Sequence, residues 1–148
     1  MELRQVLLPP KLDEMQIESA TRLARQIVAH VDSGRDFSQL MTEFNVLAAR
    51  SCAVEDLVGA ASSMDMKDFA KFALTPKAPY RADLSRDEQL ELIWRVGFSE
   101  YDSYEDYEIN FWREMLHRNL GGAPLAFGTH TNPEEVLEKA LAYKPIAL

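Results

Sequence analysis

The chain has 148 residues, 47% of them hydrophobic and 27% charged, a length and balance that suit one globular domain able to bury its own core and that exclude a disordered chain. With 24 acidic against 16 basic residues the formal charge is -8, which disfavours nucleic acid as a direct partner because its phosphates would be repelled before contact. The apolar runs fall well short of the roughly 20 residues a membrane span requires, and the run in MELRQVLLPP is too brief for a signal peptide, so no membrane partner and a cytoplasmic location are expected.

Apolar residues recur at helical spacing almost throughout, and no segment alternates strictly enough for a half-buried strand. The expected architecture is all-α, a single compact domain of about six to seven helices. Residues 12 to 33 place Leu12, Ala20, Leu23, Ala24, Ile27, Val28 and Val31 on one stripe, with Gly34 as the stop. Asp36 is the expected cap of a second helix running to about Arg50, with Leu40, Phe44, Leu47 and Ala48 inward. A third covers about 54 to 62, weakened by Gly59. The fourth covers about 65 to 74 and ends at Thr75-Pro76.

The segment TPKAPYRAD, at about 75–83, reads as a connector between two helical halves. Ser85 and Glu88 then form a capping box that opens a fifth helix with Leu90, Ile93, Trp94 and Val96 as its apolar stripe. A sixth helix is expected from Ser103, its cap, to about Asn119, before Gly121 and Gly122. The last, about 133 to 143, begins at Asn132-Pro133-Glu134-Glu135, a cap with proline at the first helical position, and stops before Pro145.

Residues 98 to 112, FSEYDSYEDYEINFW, hold five acids, three tyrosines and a tryptophan with no lysine or arginine. On a helical wheel the sixth helix carries an apolar arc of about 220°, wider than one docked face needs. A second helix, another protein or exposure must account for the surplus. Tyrosine offers large contact area at little entropic cost, and neighbouring carboxylates steer and pair with cations. Glu100, Tyr101, Asp102, Tyr104, Glu105, Asp106, Tyr107, Glu108 and Trp112 are therefore candidate partner-binding residues. The alternative is that Tyr104, Tyr107 and Phe111 are core, with ordinary acids at a helix start.

No catalytic constellation stands out. His30, His117 and His130 share no ligand spacing with one another or with Cys52, and neither a phosphate-cradling glycine loop nor a nucleophile elbow is present. No catalytic residue, metal or cofactor is expected. Cys52, the only cysteine, reads as a small buried hydrophobe.

Three segments carry a resemblance: LSRDEQLELIWRV (84–96), EDYEINFWREMLHRNL (105–120) and NPEEVLEKALAYKPIAL (132–148). They resemble helices of bacterial toxin immunity proteins related to the bacteriocin immunity group, in particular longer members that accompany polymorphic or contact-delivered toxins. EFNVLAARSCAVEDL and DMKDFAKFALTPK extend the likeness over most of the chain. Where nuclease-inhibiting members carry a proline-containing loop and an Asp-x-x-Tyr-Tyr-Pro or similar element, this chain has GGAPLAFGTH, so the toxin-contacting residues of that element do not transfer. The resemblance implies an immunity protein that binds and neutralises a basic cognate toxin domain through the acidic entry to the sixth helix. A helical adaptor binding another cytoplasmic protein, or itself, stands beside it as the alternative.

Overall fold

The computed structural model describes residues 1–143, and among them the chain is all-helical, with seven α-helices, one 3-10 turn and no strand. The expected stop at Pro145 and the tail of the third resembling segment lie outside the described residues. The chain divides into two compact units, Pro10–Lys77 and Met1–Pro9 together with Ala78–Leu148. One division falls inside the expected connector; the other joins the N-terminal nonapeptide to the C-terminal half. Each unit has its own hydrophobic core.

The unit Pro10–Lys77 is built on α1 (Glu14–Asp32), which packs against α2 (Ser38–Leu47), α3 (Val54–Ala61) and α4 (Met66–Leu74). The Asp13 carboxylate caps α1 by accepting from the amides of Met15 and Gln16, and the expected stripe is buried at Ala20, Leu23, Ala24 and Ile27. The second helix starts two residues after Asp36 and ends three before Arg50. Asp36 still tethers that start, because its Oδ1 accepts from the amide and the hydroxyl of Ser38, which hold the carboxyl below its ordinary range. Asn45 spans the bend after α2: its side chain donates to the Cys52 carbonyl and accepts from the Cys52 amide. Cys52 is buried in this core and burial pushes its thiol up, as expected of an inert hydrophobe.

In the other unit, α5 (Arg86–Gly97) packs against both α6 (Asp106–Asn119) and α7 (Pro133–Ala142). The Ser85–Glu88 capping box forms as read, and Asn132 caps α7 by accepting from the Glu135 amide. Trp112, Leu92, Ile93, Met115, Leu116, Val136 and Leu137 are fully buried, each such side chain worth about 1.5–3 kcal/mol relative to exposure. Leu3, before the 3-10 turn Gln5–Leu7, and Leu7, its last residue, join the same core. The connector is moored to α6 as well: Asn119 Nδ2 donates to the Arg81 carbonyl at 2.6 Å while its Oδ1 accepts from the Arg81 amide, and Glu114 accepts from the Ala78 amide.

Arg4 fixes the nonapeptide by charge. Its guanidinium donates to both oxygens of Glu88, at 2.6 and 2.9 Å, and to Asp83 at 2.8 Å. Glu88 is only 5% exposed, and the hydrogen bond from Arg4 is the main cause holding both carboxyls below their ordinary values of 4.5 for Glu88 and 3.8 for Asp83. Folding thus favours the ionised carboxylates, so their contribution is complete at neutral pH and is lost as pH falls below about 4.5 through the folded-state values. Replacing Arg4 with Met is expected to lower Tm at pH 7 and to flatten the fall of Tm between about pH 5 and 3. Parallel Tm-against-pH curves for the variant and the parent would rule out this clamp.

Candidate partner-binding surface

The candidate segment is a turn followed by a helix, rather than helix from Ser103 onward. At the end of α5 the amides of Phe98 and Ser99 both donate to the Trp94 carbonyl at 2.8 Å, and the Ser99 hydroxyl donates to the Arg95 carbonyl. The Phe98 ring meets the Phe127 ring edge-on at 5.6 Å. Gly97 allows this approach, since a Cβ there would collide with the Phe127 ring.

The chain then reverses through Glu100–Ser103, closed by the Ser103 amide on the Glu100 carbonyl at 3.1 Å. Asp102 adopts φ +69°, a left-handed conformation that Asp tolerates better than most side chains. The helix begins only at Asp106, with Glu105 as its N-cap and the Glu105 amide donating to Glu108 Oε1. Ser103 is not the cap: its amide closes the preceding turn. Glu108 closes the capping box expected of an acid three residues into a helix.

This geometry sorts the nine candidates. Glu100, Tyr101, Asp102, Glu105 and Asp106 are exposed, and Tyr101, at 95% exposure, stands out at the tip of the turn between two acids. Tyr104, Tyr107 and Glu108 are half-buried. Trp112 is wholly buried and its Nε1 donates to the Leu7 carbonyl at 2.9 Å. Its expected role as a surface anchor is corrected accordingly: the indole is core, with its polar edge satisfied inside the unit. The surplus of the apolar arc is taken up by the chain's own N-terminal segment, where Leu3 and Leu7 cluster with Trp112, Met115 and Leu116.

Tyr104 is fixed by aromatic and cationic neighbours. Its ring meets Trp112 at 5.0 Å and 90°, and the Arg95 guanidinium lies 5.0 Å from the Tyr104 ring and 4.9 Å from the Trp112 ring. Glu91 faces Arg95 at 3.7 Å and the Met1 amino group at 3.1 Å. Met1, Glu91, Arg95 and Tyr104 line an open groove of about 740 Å³ with Asp87, Leu90, Trp94, Pro133 and Glu134. Trp94, assigned by its spacing to the inner stripe of α5, is 41% exposed there.

Sequence reasoning missed the groove because it is assembled from α5, the turn before α6 and the start of α7. Periodicity within one helix cannot reveal such a meeting. Among the described residues no three His, Cys, Asp or Glu side chains are grouped to hold a metal ion, and no helix is long and apolar enough to cross a membrane. Comparisons with protein-family models, curated proteins and solved structures find no match.

Proposed function

We propose that this protein is a cytoplasmic immunity protein that neutralises a cognate bacterial toxin domain by binding and occlusion, without catalysis. The observation that carries the reading is the Glu100–Asp106 turn. It presents Tyr101 almost fully to solvent, flanked by Glu100 and Asp102 and followed by exposed Glu105 and Asp106. An exposed aromatic ringed by carboxylates gives a basic protein both long-range attraction and a contact with substantial area. The overall charge of -8 adds to the attraction. The resemblance of residues 84–96 and 105–120 to immunity-protein helices supports the toxin as the partner, and the turn lies between those two segments.

Co-expression with the toxin domain encoded by the adjacent gene tests the proposal. Survival of the cells and co-purification of the two chains are expected. Cell death with no complex, from a soluble and folded chain, would overturn it.

A further inference from the structure

We propose that the groove between α5, Tyr104 and the start of α7 is a seat for a single arginine side chain of a basic partner, with Trp94 as its stacking platform and Asp87 and Glu134 as its carboxylates. The inference rests on the binding reading above and gives the partner's contacting group a chemistry. On α5, where Leu92 and Ile93 are fully buried, Trp94 is 41% exposed, which leaves an indole surface in contact with water. The groove walls supply apolar surface from Leu90 and Pro133, against which the methylenes of a long cationic side chain can lie while its charged end reaches the rim.

Charge decides the occupant. The groove contains two cations and three carboxylates, but the cations are already engaged: Arg95 is stacked on Tyr104 and Trp112, and Glu91 faces both Arg95 and the Met1 amino group. Asp87 and Glu134 are exposed and hold no ion pair among the described residues. Two carboxylates lining one groove with an exposed indole complement a cation, and a planar guanidinium can stack on a ring while donating to a carboxylate, which an ammonium cannot do equally well. Arg95 against Trp112 and Tyr104 displays the same chemistry within the protein itself.

The test uses the full ¹⁵N-labelled chain and a capped Gly-Arg-Gly peptide, with the isosteric citrulline peptide as its neutral control. The protein has two tryptophans, so two indole N–H signals report separately: Trp94 in the groove and Trp112 in the core. The arginine peptide is expected to shift the Trp94 signal and leave Trp112 in place. The combined Asp87→Asn and Glu134→Gln variant should weaken that binding by about threefold or more, and Trp94→Leu should abolish it. The citrulline peptide should bind more weakly than the arginine peptide. Equal shifts with the two peptides, no saturable shift at Trp94, or shifts confined to residues 100–106 would each overturn the assignment. Because the probe is a short peptide, this outcome is separable from the toxin test: the groove can take arginine where the toxin is not the partner, and the toxin can bind with the groove empty.

Discussion

Trp112→Ala is expected to destabilise the C-terminal unit by about 3–5 kcal/mol, the range for removing a buried aromatic side chain. In a cooperative unit of roughly 80 residues this corresponds to a fall in Tm of at least about 12 °C. Two losses combine. The indole packs against Leu7, Met115 and Leu116 and meets Tyr104 edge-on, so truncation leaves a cavity with Arg95 stranded above it. The Leu7 carbonyl also loses its donor, an unmade hydrogen bond that costs about 1 kcal/mol or more when buried. Trp112→Phe helps separate the terms, since it keeps part of the ring contact while removing the donor. Its Tm should fall between those of the alanine variant and the parent. Far-ultraviolet circular dichroism against temperature measures both. A Tm for Trp112→Ala within about 3 °C of the parent would contradict the buried placement. A folded Trp112→Phe protein should also bind its partner with unchanged affinity, which distinguishes core from anchor.

The acidic turn should control the rate of association. Combining Glu100→Lys, Asp102→Asn and Asp106→Lys adds two charge units at each Lys substitution and one at Asn, moving the formal charge from -8 to -3. Asparagine is chosen at 102 because the residue there holds φ +69°, and Asn accepts that conformation where Lys would strain the turn. The association rate constant for a basic partner should fall by about tenfold or more at low ionic strength. The difference should narrow as salt shortens the Debye length from about 30 Å at 0.01 M to about 8 Å at 0.15 M. Tyr101→Ala should act on the other rate, raising dissociation by about tenfold if the exposed ring is a central contact. Surface-plasmon kinetics across a salt series separates the two effects. An association rate indifferent to the charge change would remove the turn from the binding mechanism, whatever the partner.

Local signals in the sequence carried most of the helical plan. Ser85 with Glu88 and Asn132 before Pro133 both lie where their helices begin, because a cap is decided by a side chain and amides two or three residues away. The middle of the α1 stripe, Ala20, Leu23, Ala24 and Ile27, is buried as spaced, since its period of 3.6 residues matches a single continuous helix. The start of α6 was less legible. Ser103 reads as the cap, but the turn with Asp102 in the left-handed region carries the chain past it, and the helix begins at Asp106 with Glu105 as its N-cap.

What the sequence by itself determined is therefore the helices, the caps of α5 and α7, and the concentration of acids and tyrosines before α6. Tertiary structure alone decided which rings meet water. A helical wheel specifies direction without specifying the neighbour, so Trp112 and Trp94 both read as apolar-stripe residues; the N-terminal nonapeptide then covered the first, and the gap beside Tyr104 and Pro133 left the second partly open. That covering segment lies more than a hundred positions away along the chain. Contacts over such separations depend on how whole helices and their flanking segments assemble, which no local periodicity encodes.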